Sequence, residues 1–226
     1  MIERIRVIGS GRVGSALAAR LRERGVAVDG GEPDLVLLCV PDAAIAETAR
    51  GIAPGPWVAH VSGATPLAAL DPHARRFSVH PLMTFTRTGG PDRLRAAQLD
   101  GAWAAVTGET EEALAAARWL ARTLGLRPFE LADGKRTLYH AGAVFASNYL
   151  VTLERAAARL VEAAGAPREA LVPLMERTIE GGFELTGPIA RGDWGTVEAH
   201  RAAIREARPE LEELYETLAE ATVMLR

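Results

Sequence analysis

The run Asp34-Leu35-Val36-Leu37-Leu38-Cys39-Val40, held between Pro33 and Pro41, constrains the fold more than any other segment. It shows no alternation of apolar and polar residues, so a strand made from it leaves no face for water. Such a run fits the centre of a parallel sheet that is covered on both sides. Similar short runs surround it. Ile5-Arg6-Val7-Ile8, Trp57–Val61, Phe77–His80, Ala102–Val106 and Arg127–Leu131 read as strands. Ser15–Arg24 and Glu109–Leu124 read as helices, and Asp42 is placed to cap a helix running through Arg50. The alternation of strand and helix predicts an α/β chain with an open, mostly parallel sheet.

The texture changes after Asp133-Gly134. Lys135–Ala164 reads as one long helix, Pro167–Glu180 as a second, and Asp193 is placed to cap a third that runs to about Arg205. Pro209 opens the last, with Leu211, Leu214, Tyr215, Leu218 and Val223 on or near one stripe. The expected organisation is a sheet domain over 1–132 and an all-helical domain over 133–226.

Composition excludes several function classes. Of 226 residues, 48% are hydrophobic and 24% charged, which supports an ordinary core and excludes disorder. The net charge of −3 carries no electrostatic signature for nucleic acid or an anionic membrane. The single cysteine, Cys39, excludes an intrachain disulfide framework and a cysteine-rich zinc site. Asp193 and His200 lack a third ligand at helical spacing, so no metal site is expected. No apolar run approaches 18 residues, and Met1–Arg6 alternates charged and apolar residues unlike a signal peptide. A cytoplasmic protein is the expectation.

Gly9-Ser10-Gly11-Arg12-Val13-Gly14 fits G-x-G-x-x-G, between a predicted strand and a predicted helix. Each glycine has its own reason: Gly9 for the tight turn, Gly11 for close approach of a pyrophosphate, and Gly14 for helix–strand packing. The helix N-terminus then offers unpaired N–H groups and a partial positive charge to phosphate. These six residues are the expected cofactor contacts. Val40, Pro41 and Ser62, at the ends of the next strands, join them in the crevice where open α/β sheets bind ligands.

The following unit is short. Only Val26–Pro33 separates the first helix from the strand at Asp34, whereas a parallel crossover takes a dozen or more residues. The second-strand region is therefore shortened, and the adenosine half of a dinucleotide site is expected to be reduced or lost. Asp29 mimics the acid that holds the adenosine ribose, but it comes early and reads better as a turn residue before Gly30-Gly31.

Among titratable residues, His80 ends a strand ahead of Pro81 and can donate to a substrate oxygen. His140, Val144 and Ser147 share one helix face, with Asn148 at its margin. Polar groups on so apolar a segment face either a cleft or interhelical hydrogen bonds.

Three segments together resemble a known family: Arg6–Gly25, Val79-His80-Pro81-Leu82-Met83-Thr84-Phe85, and the helical half with Lys135–Asn148 and Leu185–Asp193. The resemblance is to Rossmann-like proteins with the helical domain of unknown function 2520, within the 6-phosphogluconate dehydrogenase-like superfamily. It implies an oxidoreductase that uses NADP or NAD on a small-molecule substrate, and a homodimer joined through the helical domain. It also implies that Lys135, at the start of the long helix, is the general acid–base, with His80, His140 and Asn148 orienting the substrate. The alternative is a non-catalytic Rossmann-like binding or assembly protein that has lost the adenosine half of the site. A weaker one is a site for a smaller phosphate ligand.

Overall fold

A computed structural model of the chain describes residues 2–86 and 98–225. The chain forms two compact units, 1–144 and 145–226. The first is built on a seven-stranded sheet: β1 (Arg4–Ile8), β2 (Ala27–Val28), β3 (Leu35–Leu38), β4 (Trp57–His60), β5 (Arg76–Pro81), β6 (Trp103–Gly108) and β7 (Arg127–Glu130). The spatial order is β2-β1-β3-β4-β5-β6-β7, parallel throughout except between β5 and β6.

The apolar run lies centrally, as its composition requires. Leu35 and Leu37 face the cluster built on Leu17, Leu21 and Phe77, while Val36 and Leu38 face a second one with Ile45, Leu67 and Leu70. Both faces are dry, and each fully buried leucine contributes about 2 kcal/mol by burial. Helix α1 (Arg12–Glu23) covers the first face through Ala16, Leu17 and Leu21, and Arg24-Gly25 ends it. α2 (Ile45–Arg50) is short. α3 (Glu111–Thr123) starts two residues later than expected, because the Thr110 hydroxyl accepts from the Ala113 amide and fixes the N-cap there.

Two local expectations need correction. Asp42 caps nothing: a 3-10 turn over Asp42–Ala44 precedes α2, and the Asp42 carboxylate instead accepts from the Ser62 hydroxyl. Pro81 does not stop β5 but pairs with Ala104 on the antiparallel neighbour. The second-strand region is shortened as expected and holds a strand of two residues only. Because Val28 and Leu35 both align with Ile5, six residues suffice to lead from β2 past β1 to β3, without a crossover helix.

The helical backbone expected over Lys135–Ala164 is present in pieces. A 3-10 turn over Asp133–Lys135 leads into α4 (Arg136–Val144), which closes the first unit. The second unit opens with a π-helical turn over Phe145–Tyr149, followed by α5 (Leu150–Ala163), α6 (Leu171–Glu180), α7 (Pro188–Arg191), α8 (Trp194–Ala207) and α9 (Glu212–Met224). Asp193 caps α8 as expected, its carboxylate accepting from the Thr196 amide. The core of this unit is thin, with Ala158, Val197, Ile204, Leu211 and Ala219 buried, and Phe145, Leu174, Phe183, Met224 and Leu225 exposed. No helix among the described residues is long and apolar enough to cross a membrane, and no cluster of potential metal ligands is found among them.

Candidate functional site

The glycine turn joins β1 to α1 with its three glycines in distinct surroundings. Gly9 has φ +113°, and a Cβ there would lie 2.4 Å from the Cys39 carbonyl oxygen. At Gly14 a Cβ would lie 1.8 Å from the Gly9 carbonyl oxygen and 3.1 Å from Cys39 Cβ. These two positions are filled by backbone of the turn itself and of the β3 end. Gly11, the N-cap, has no such neighbour within 4 Å. The N–H groups of Arg12, Val13 and Gly14 open the helix, where intrahelical acceptors are lacking. Ser10 braces the turn by accepting from the Ser15 hydroxyl through its carbonyl.

A cavity of about 710 Å³ lies beside this turn, lined among others by Gly9, Ser10, Ser15, Arg6, Arg22 and Asp29. Asp29 directly follows β2 with φ +63°, a left-handed conformation that aspartate tolerates better than most residues. Its carboxylate accepts from the Val7 amide at 3.3 Å and pairs with Arg22 at 3.4 Å. Asp29 is thus both the turn residue expected and a wall of the cavity. The short second strand removes a crossover, not the space next to the glycine turn.

The other expected contacts lie at the carboxyl ends of the neighbouring strands. Val40 and Pro41 follow β3, and Cys39 before them is buried enough to push its thiol up to about 12. Ser62 follows β4, and its hydroxyl donates to Asp42 Oδ2 at 2.8 Å while accepting from the amides of Ala64 and Thr65. This turn is held from beneath by Arg136, 1% exposed. The Arg136 guanidinium donates to the Thr65 carbonyl at 2.7 Å, to Ser78 Oγ at 2.6 Å, to Thr107 Oγ1 at 2.9 Å and to the Ser62 carbonyl.

Strand register explains why that guanidinium is satisfied. His60 aligns with Ser78, and Ser78 with Thr107, so these side chains share one face of the sheet, with His80 two residues along from Ser78. On α4, Arg136, Tyr139 and His140 stand at i, i+3 and i+4 and address the same face. His80 Nδ1 lies 2.8 Å from the Tyr139 hydroxyl. The His80 and His140 rings meet edge to face with centroids 5.9 Å apart. Gly63 lies between them: a Cβ there would come 2.6 Å from His140 Cδ2 and 2.9 Å from His80 Nε2.

The electrostatics here favour neutral His60 and His80. Burial pushes His80 down to about 4, with His140 and Arg136 adding to the shift and Asp42 opposing it. Burial pushes His60 down to about 3, with Arg136 and His80 adding to it. His60 Nδ1 accepts from the Ser62 amide at 3.2 Å, which leaves the proton on Nε2, where no partner is found among the described residues. Burial raises the Tyr139 hydroxyl to about 12.

Of the residues singled out by sequence, the structure brings His80 and His140 into contact, with Ser62 in the adjoining turn. Lys135 is exposed on the 3-10 turn just ahead of α4. Asn148 belongs to the second unit, within its π-helical turn, and its Oδ1 accepts from the Ser147 hydroxyl at 3.0 Å. Tyr139, Arg136 and His60 escaped the sequence reading. A signal existed for Arg136 and Tyr139, which precede His140 at helical spacing. None existed for His60, which reads as the end of an apolar strand.

The chain resembles several solved structures over nearly its whole length. A candidate NADP oxidoreductase from Bacteroides fragilis superposes with a TM-score of 0.81 at 22% identity, covering 100% of this chain and 99% of that one. A Thermotoga maritima protein gives a TM-score of 0.74 at 22% identity, over 96% of each chain. A reductive aminase from Aspergillus terreus, solved with NADPH and ethyl levulinate, gives 0.68 at 17% identity, over 99% of this chain and 94% of that one. At such identities the likeness shows the shared fold. No curated protein sequence matches the chain. The family described as "Domain of unknown function (DUF2520)" matches residues 102–222. That match spans more than half of the chain, which therefore belongs to the DUF2520 family.

Proposed function

We propose that the protein is an NAD(P)-dependent oxidoreductase acting on a small molecule. One observation carries the reading. Gly11 alone of the three turn glycines is walled by nothing, at the N-terminus of a twelve-residue helix that follows the first strand of a parallel sheet. A side chain there would fill the space that a pyrophosphate takes, so the residues present fit the phosphates of a dinucleotide. The cavity between the turn and Asp29 offers room beside it, with Arg6 and Arg22 as cations. Proteins of the same fold include a candidate NADP oxidoreductase and a reductive aminase in complex with NADPH.

When bound, the nicotinamide supplies or accepts a hydride. The chain's own groups do the rest. The amides of Arg12, Val13 and Gly14 hold negative charge, and the strand ends at Val40, Pro41 and Ser62 form the floor. His80 and His140, converging on Gly63, orient a polar substrate group. Lys135, exposed just ahead of α4, supplies the proton that accompanies the hydride as an ammonium, or receives it as a neutral amine.

Titration with NADPH and NADH, followed by fluorescence or thermal shift, tests the reading. Micromolar binding that disappears in Gly11→Asp supports it. No response at millimolar cofactor, with wild type and Gly11→Asp alike, overturns it in favour of a non-catalytic binding protein. A response to pyrophosphate or a mononucleotide alone would point to a smaller phosphate ligand.

We also propose a homodimer formed through the helical unit. Leu174, Phe183, Met224 and Leu225 expose more apolar surface than an isolated unit of this size needs. Sedimentation at rising concentration should show twice the chain mass, and a monomer throughout would refute the dimer.

A further inference from the structure

The cluster on the α4 side of the sheet contains a residue with no assigned part, Tyr139, in contact with His80. Between a phenol and a neutral imidazole the phenol is much the stronger acid, so at 2.8 Å the Tyr139 hydroxyl donates and His80 Nδ1 accepts. The donated hydrogen bond forces the imidazole proton onto Nε2, the nitrogen that lies against Gly63. We propose that Tyr139 is a positioning residue that locks His80 as its Nε2–H tautomer, so that His80 presents a hydrogen-bond donor to a neutral acceptor such as a carbonyl oxygen. This rests on the oxidoreductase reading and narrows it: the substrate group that meets His80 is an acceptor, and the reaction's proton comes from elsewhere.

Charged and titratable groups reach His80 from three elements. Tyr139, His140 and Arg136 face His80 from α4, Asp42 from the turn after β3, and His60 from β4. Burial chiefly disfavours a second proton on the ring, His140 and the Arg136 guanidinium add to this, and the Asp42 carboxylate opposes it. The tyrosine ring is itself fixed, edge to face with Phe129 at 5.9 Å and with His80 at 5.5 Å. Phenylalanine at position 139 would keep that packing and remove only the hydroxyl.

Histidine-selective ¹⁵N labelling and long-range ¹H–¹⁵N spectra between pH 5 and 8 test this without cofactor or substrate. His80→Gln assigns the resonances. The expected result is a single His80 tautomer, protonated at Nε2 and unprotonated at Nδ1, with no titration in that range. In Tyr139→Phe both tautomers appear and the ring begins to titrate, because a bond that favours the neutral form is gone. A wild-type His80 protonated at Nδ1, or an imidazolium at neutral pH, overturns the proposal. So does a tautomer unchanged in Tyr139→Phe. An NADPH titration of the same samples reports separately on the oxidoreductase reading.

Discussion

Gly14 packs directly on the carbonyl of Gly9, so that a Cβ at position 14 would lie 1.8 Å from that oxygen. Both partners are backbone and neither can turn aside. Gly14→Ala is therefore expected to lower stability by about 3 kcal/mol, as overpacking does in a closed site. That corresponds to a fall in Tm of about 10 °C. Gly11→Ala meets nothing within 4 Å, so its Tm should stay within about 1 °C of wild type. Its NADPH affinity should nevertheless fall at least tenfold if a pyrophosphate approaches the turn. Equal Tm losses in the two variants would refute this division of roles.

Arg136 holds four acceptors from one buried guanidinium, two of them backbone carbonyls of the Ser62–Thr65 turn. Arg136→Met removes the shared donor from those four dry acceptors and should cost about 4 kcal/mol. Arg136→Lys should recover little, because a single ammonium cannot span the planar fork. Urea denaturation of the three proteins gives the ranking, and a lysine variant as stable as wild type would contradict it.

The buried imidazoles set a pH dependence. His60 and His80 are held at about 3 and about 4 in the folded protein, against an ordinary value of 6.5. Between those values the unfolded chain binds protons that the folded chain does not, so stability rises with pH. The stabilisation is complete above pH 6.5 and lost as pH falls toward 4, with a slope of up to about 1.4 kcal/mol per pH unit for each histidine. Urea midpoints from pH 7.5 to 4.5 should follow this course. His60→Asn, whose side-chain oxygen still accepts from the Ser62 amide, should flatten it, and an equally steep profile in that variant would disprove the assignment to His60.

How much was legible in the sequence follows the range of the interactions. The central strand and the glycine turn rest on local signals, apolar continuity and glycine spacing, and both stand where expected. His80 and His140 could be singled out because a strand end beside proline and a helix spacing are also local. The polar face formed by His60, Ser78 and Thr107 depends on register between three strands, which no single segment encodes. The arginine that makes it tolerable is distant in sequence, and so is the tyrosine opposite His80. Asp42 shows the same limit: its spacing suits a cap, and a serine twenty residues away takes its carboxylate instead.

For the proposed oxidoreductase, the choice between NADPH and NADH turns on the residues beyond the short second strand. An acid there ordinarily binds the ribose hydroxyls of NAD, whereas an arginine suits the 2′-phosphate of NADP. Asp29 stands at that point, but its carboxylate is engaged by the Val7 amide and by Arg22. Arg6 and Arg22 both line the cavity, so two cations face one carboxylate that is already paired. NADPH is therefore expected to bind more tightly than NADH, by about tenfold or more, since a phosphate–arginine contact is worth about 1.5–3 kcal/mol. Arg22→Ala should remove most of that preference by weakening NADPH binding. It should leave NADH within about threefold, because Arg22 has no phosphate to hold in that complex. Raising the salt concentration should narrow the wild-type gap, as exposed ion pairs are screened. Isothermal titration of both cofactors with both proteins decides the matter: a preference for NADH would show that Asp29 sets the selectivity, and an NADPH preference that survives in Arg22→Ala would show that Arg22 does not.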